Sequence, residues 1–290
     1  MEIFSGKEKE TQLLLISRIP RLISILVTGA SLGVAGIIIQ TISNNKFVAP
    51  STIGTMDWAK FGIMISLIFF GDKSTMLKMT VAFLFALFGT LFFMQVLKKI
   101  QIKNSIMIPL IGIMLGNVIN SVTGFIAYKF DLIQNINSWL QGNFSLIIKG
   151  KYELLYLGIP FFLIAYIYAD KFTIAGIGED FSSNLGLNRE NIVMIGLIIV
   201  SVITSIIVVT IGSIPYIGLI IPNIVSIYKG DNMKKSLFDI AVLGSLFLLI
   251  CDLIGRIVIF PYEMSVSVIV SIIGSIIFLF LIFRRYKYAY

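Results

Sequence analysis

Nine apolar runs, at 22–42, 53–70, 80–97, 105–128, 154–169, 192–211, 216–228, 236–258 and 265–283, follow one another with more polar joints between them. Most approach the roughly 20 residues a helix needs to cross the hydrocarbon core of a bilayer. A chain in lipid must satisfy its backbone hydrogen bonds internally, so these runs predict helices. Hydrophobic residues make up 57 % of the chain, charged residues only 13 %, and mean hydropathy is +0.97. A water-soluble fold could not hide that much apolar surface. The reading is therefore an all-α polytopic membrane protein with about nine transmembrane helices.

The net charge of +8 does not indicate a nucleic-acid partner. Basic residues stand singly or in pairs at the ends of apolar runs, as in Lys98-Lys99 and Arg284-Arg285, which is an interface pattern rather than a basic stripe. Histidine is absent and Cys251 is the single cysteine, so no usual zinc or haem ligand set can be assembled and no His-based triad is available. No metal ligand, cofactor or catalytic residue is assigned. The chain also lacks a G-x-x-x-x-G-K-[ST] loop, so if ATP drives it, another chain binds the ATP.

Run 216–228 is too short to cross unaided. It follows the breaker Gly212-Ser213-Ile214-Pro215 and contains Gly218 and Pro222, which predicts a re-entrant or broken helix of the kind found beside a pathway. Gly29/Gly33 and Gly112/Gly116 have the spacing that lets helix backbones approach closely. Pro160 falls inside run 154–169 and predicts a kink. Asp57 and Lys60 lie i,i+3 on a presumed helix, where they either pair structurally or line a path, since charge inside a membrane tends to be functional.

Three blocks carry a family resemblance. The first is Ser17-Arg18-Ile19-Pro20-Arg21-Leu22, continuing through Gly29, Gly36, Gln40, Asn45, Pro50 and Ile53-Gly54. The second is Gly212-Ser213-Ile214-Pro215-Tyr216-Ile217-Gly218-Leu219-Ile220-Ile221-Pro222-Asn223. The third is Cys251-Asp252-Leu253-Ile254-Gly255-Arg256 with Pro261. In this order they resemble the signature of the iron-siderophore, haem and cobalamin ABC permeases. Thr55–Lys60 and Ser138-Trp139-Leu140-Gln141-Gly142 are similar to the members that carry catecholate siderophores of the ferric petrobactin type. Lys46 stands where the family has Pro and Asn223 where it has His.

The resemblance implies the type II ABC importer permease fold, a single permease domain over 1–290 with inverted halves at about 18–128 and 189–283. The family generally has ten spans, and the missing one would precede Arg18; a chain that begins late is the expectation, a nine-span variant the alternative. Basic residues divide too evenly between the two sides to orient the chain. The family topology places Arg18, Arg21 and Arg256 outside, where they would meet acidic residues of an extracytoplasmic substrate-binding protein; snorkelling to lipid phosphate is the alternative. The segment at about 174–191 resembles the family's coupling segment, in which two short helices dock on an ATP-binding subunit. Gly178, Glu179, Asp180, Leu185 and Gly186 would do this work, with Gly186 supplying a positive φ. Candidates for the translocation path are Asp57, Trp58, Lys60, Pro222 and Asn223. Implied partners are the ATP-binding subunit, the binding protein, a second permease subunit and the lipid membrane. The implied function is ATP-driven, alternating-access import of an iron(III)-siderophore complex. Haem or cobalamin import is the alternative, and an ion-driven carrier using Asp57 and Asp252 a further one.

Overall fold

The structure, a computed structural model, describes residues 11–12, 14–100, 107–148, 150 and 152–287; side chains of 284–287, including Arg284 and Arg285, and the first two residues of run 105–128 lie outside that set. Among the described residues there are eleven α-helices: α1 (Ile19–Ile42), α2 (Thr55–Phe70), α3 (Thr75–Ile100), α4 (Met107–Lys129), α5 (Ile133–Leu140), α6 (Gly158–Ile177), α7 (Glu179–Asn184), α8 (Arg189–Thr210), α9 (Ile217–Lys229), α10 (Met233–Ile257) and α11 (Val266–Lys287). Seven segments are long and apolar enough to cross a membrane, built on α1, α3, α4, α6, α8, α10 and α11. Every predicted run is helical. The two that fall short of a full span, α2 and α9, are the ones that begin inside the bundle.

Two helices form the centre. The apolar windows of the α1 and α8 spans are 72 % and 78 % buried, against 22–39 % for the other five. Both central helices are apolar on all sides, as a helix surrounded by protein must be. Several of their small polar side chains cost little because the hydroxyl folds back on its own helix: Ser24 donates to the Pro20 carbonyl at 2.7 Å, Thr204 to that of Val200 at 2.7 Å and Ser205 to that of Ser201 at 2.6 Å.

Packing distances define two ends. At one, a Cβ on Gly176 would lie 2.6 Å from the Thr41 carbonyl oxygen, and Arg189 Nε donates to the Ala175 carbonyl at 3.0 Å. The C-termini of α1 and α6 and the N-terminus of α8 therefore meet there; we call it the coupling end. At the distal end Arg21 of α1 reaches Asp252 near the end of α10. Pro160 does not kink a span. It sits in the first turn of α6, where a residue without N–H leaves no helical bond unmade.

Both short helices start at mid-depth. Thr55, the first residue of α2, donates to the hydroxyl of Ser201 halfway along α8 at 3.2 Å. Gly218, the second residue of α9, lies so close to α1 that a Cβ on Gly36 would come within 1.9 Å of its carbonyl oxygen; only glycine permits that approach. Each helix is preceded by a left-handed residue, Gly54 (φ 79°) for α2 and Tyr216 (φ 66°) for α9. α2 runs toward the distal end, where Ile63 and Met64 share an apolar cluster with Val208 and Val209 of α8. α9 runs toward the coupling end, where Asn223 donates to the Lys46 carbonyl at 2.8 Å.

Candidate functional site

The breaks at mid-depth are held by side chains from the central helix. Pro222 lacks the N–H that would reach the Gly218 carbonyl four residues back. The Nε2 of Gln40, itself 3 % exposed, donates instead to the Gly218 and Leu219 carbonyls, at 3.3 and 3.1 Å. Asn223 adds a second tie, donating to the Leu219 carbonyl at 2.7 Å as well as to that of Lys46. Gln40 belongs to the first block of the sequence signature, but its role was not assigned. A proline four residues after Gly218 is the signal, because it guarantees an orphan carbonyl.

At the distal end four charged groups form one neutral cluster. Arg21 Nη2 donates to Asp252 Oδ1 at 2.7 Å, and Arg21 Nη1 to both oxygens of Glu263 at 2.8 and 3.2 Å. Arg256 Nη2 lies 2.9 Å from Asp252 Oδ2, one helical turn along α10. Asp252 is 1 % exposed and Arg21 9 %, so two buried opposite charges neutralise each other as burial requires. Arg18 is exposed. Of the three arginines that the resemblance places together, Arg18 is exposed, Arg256 half-exposed, and Arg21 engaged within the fold. Glu263 had no signal in the sequence, since only the chain reversal between α10 and α11 brings it to Arg21.

The three path candidates on α2 separate. Lys60 and Asp57 turn toward α4: Lys60 Nζ donates to Asn120 Oδ1 at 2.7 Å, and a Cβ on Gly116 would lie 2.4 Å from Asp57 Oδ2. The expected ion pair between Asp57 and Lys60 does not close, because the ammonium reaches across to α4. Trp58 points to α3 instead, edge-on to Phe88 at 5.5 Å between ring centroids and packed with Phe61 and Phe92.

At the coupling end α7 is one short helix, with Glu179 and Asp180 in its first turn, where carboxylates suit the helix dipole. It ends in a paired-bond glycine turn: Leu187 N–H reaches the Ser182 carbonyl and Gly186 N–H that of Ser183, both at 2.9 Å, with Gly186 at φ 72°. Two short helices were expected; the second is the first turn of α8 itself, capped by Asn188 Oδ1, which accepts from Asn191 N–H at 3.0 Å. Phe181 within α7 and Leu185 at its C-cap are exposed, four residues apart and close in sequence to the two carboxylates, and Ile177 at the end of α6, before the break at Gly178, is exposed as well. Next to it opens a cleft of about 580 Å³ lined by Gln40, Asn45, Lys46, Thr173, Pro222 and Ser236, among others. An ion pair between Lys46 and Asp231 spans its rim.

Comparisons with known proteins agree with this architecture. The model of the FecCD transport family matches residues 1–284. The chain is 57 % identical over 289 residues to the petrobactin import system permease YclN of Bacillus subtilis (strain 168), covering 100 % of this chain and 92 % of that protein. It is 36 % identical over 282 residues to the petrobactin import system permease FatD of Bacillus anthracis, covering 97 % and 84 %. It is 37 % identical over 280 residues to the ferric-anguibactin transport system permease FatD of Vibrio anguillarum, covering 97 % and 89 %. Among solved structures, one described as an inward-facing conformation of a metal-chelate type ABC transporter superposes with a TM-score of 0.86 at 22 % identity, covering 96 % of this chain and 89 % of that one.

Proposed function

The chain belongs to the FecCD transport family and is a transporter subunit that spans the membrane, and we propose that it imports an iron(III)-siderophore complex of the petrobactin, catecholate-bearing kind with energy from a separate ATPase. The observation that carries the cargo is the 57 % identity to a petrobactin permease over the full chain. The iron stays wrapped in its chelator, so a passage without histidine and with one cysteine serves it well.

The coupling end supports the partner on the inner side. Phe181 and Leu185 on α7 and its C-cap, exposed near Glu179 and Asp180, put apolar surface next to charge, which fits docking into a cleft of an ATP-binding subunit. Gly178 and Gly186 set the angle of α7. At the distal end Arg18, with Arg256, offers guanidinium forks for carboxylates of an extracytoplasmic substrate-binding protein; Arg21 holds the floor beneath them. A second permease subunit completes the passage. α2 and α9, leaving mid-depth in opposite directions, are the pieces that an inverted pair of halves, about 18–128 and 189–283, would place around a shared path. Asp57 and Lys60 stand on the distal side of that path, and Pro222 and Asn223 on the coupling side, with Trp58 bracing α2 from behind.

Uptake of radiolabelled ferric petrobactin in a strain deleted for this chain and complemented with it tests the reading. Rescue by the chain together with its ATPase, and not when the ATPase is inactive, is the expected result. Rescue of haem or cobalamin uptake with no effect on ferric siderophores would move the cargo to those compounds.

A further inference from the structure

Helix α4 shows three different faces. One, with Gly112, Gly116, Thr123 and Ala127, is buried against the bundle. A second, with Val118, Val122 and Phe125, is exposed and wholly apolar, as a surface in contact with lipid must be. Between them, in the middle and distal half of the same helix, lies a third face with Asn117, Asn120 and Ser121, also exposed. The spacing i, i+3, i+4 places these three side chains together. Ser121 satisfies its hydroxyl on the Asn117 carbonyl at 2.8 Å, but the amides of Asn117 and Asn120 cannot be satisfied by acyl chains. Beside them Lys60 rests its ammonium on Asn120, a neutral partner.

A cation at membrane depth pairs with a carboxylate or backbone carbonyls, or stands in water. Lys60 has no ion-pair partner within 4 Å among the described residues, Asp57 being the nearest carboxylate on its own helix. Lipid against this face would strand the amides and the ammonium together. Water is the surrounding that satisfies all of them. We propose that the Asn117–Asn120–Ser121 face of α4, with Lys60 and Asp57, is the wetted wall of the passage on its distal side, and that Lys60 is the fixed cation over which anionic oxygens of the ferric chelate pass. The cargo part rests on the function proposed above, because catecholate and carboxylate oxygens leave a ferric complex negatively charged. The wetting part stands on the geometry of α4 alone.

The chain's own chemistry makes a clean test. Cys251 is its single cysteine and is 0 % exposed, so introduced cysteines can be read against a quiet background. Asn117→Cys and Ser121→Cys, with Val122→Cys and Phe125→Cys as lipid-facing controls, are made in the full transporter in cells and treated with a membrane-impermeant sulfonated maleimide. Thiolate forms only where water reaches the sulfur. The expected result is labelling of positions 117 and 121 at least about tenfold faster than of 122 and 125. Equal, slow labelling at all four overturns the wetted wall, whether lipid or a second subunit covers the face. Uptake of ferric petrobactin then reads the cation: Lys60→Gln should slow it several-fold at unchanged membrane level while Lys60→Arg retains it. Equal uptake by Lys60→Gln and wild type overturns the role of Lys60. Failure of the unsubstituted chain to carry any ferric chelate, with the labelling contrast intact, would count against the cargo and not against the wall.

Discussion

Asp252 separates two rival uses of a buried carboxylate. An ion-driven carrier would need it free to bind and release a cation, yet Arg21 donates to one of its oxygens and Arg256 lies at ion-pair distance from the other. Removing its charge should therefore act on folding. Asp252→Asn leaves the Arg21 guanidinium with the more exposed Glu263 as its remaining counterion, a change worth less than the roughly 3–5 kcal/mol of a fully unpaired buried charge, and should still lower the melting temperature of the detergent-solubilised protein and its level in the membrane. If Asp252→Asn were as stable as wild type but changed the ion dependence of uptake, the carrier reading would return. Gln40 gives a second, sharper case. Gln40→Leu strands the Gly218 carbonyl at a cost of about 1–3 kcal/mol. Pro222→Ala restores an N–H at the position that carbonyl expects, so the double variant Gln40→Leu/Pro222→Ala should recover much of the lost thermal stability. A double variant no more stable than the single one would show that Gln40 acts by packing instead.

Among the elements, α7 makes the most exacting demand on a single residue. Gly186 sits at φ 72°, where proline, locked near −65°, cannot follow. Gly186→Pro should abolish uptake while the protein still inserts, since the turn lies outside every span; normal uptake by this variant would remove α7 from the coupling role. Gly186→Ala, strained by about 1 kcal/mol, should retain partial activity, and the graded series distinguishes a bent turn from a lost one. This turn was legible in the sequence because a positive φ leaves glycine as its mark. The spans were legible for an equally physical reason: lipid selects apolar runs of fixed length, and all nine appear as helices. What composition could not show was depth. α2 and α9 read as spans or part-spans, but their mid-bundle starts follow from backbone contacts such as Gly36 on Gly218. Likewise Pro160 in mid-run looked like a kink, and only the late start of α6 makes it a first-turn residue. Lys60 had a carboxylate three residues away and chose Asn120 on another helix, a preference that i,i+3 spacing cannot reveal.

For the whole molecule, the alternating access that the family resemblance implies would require the coupling end to open and close once per cycle, and the cleft there marks where such a movement would meet least resistance. The joint between α1 and α2 and the joint between α9 and α10 face each other across the 580 Å³ cleft, and the Lys46–Asp231 pair is the bridge between them. Asp231 has 69 % of its side chain exposed, and such a pair contributes at most about 1 kcal/mol. It can break in every cycle, unlike the buried Arg21–Asp252 pair at the other end. The bundle is thus pinned distally and loosely latched at the coupling end. Replacing Lys46 and Asp231 with cysteines and joining them with a short bifunctional thiol reagent would turn the latch into a fixed strut. Buried Cys251 should not interfere. Uptake should fall at least about tenfold on cross-linking, the contribution of a free latch being far smaller than that of a covalent one, and return when a reducible linker is cleaved. Undiminished uptake in the fully cross-linked protein would mean that these two joints travel together and that the moving boundary lies elsewhere, as at an interface with the second permease subunit proposed above.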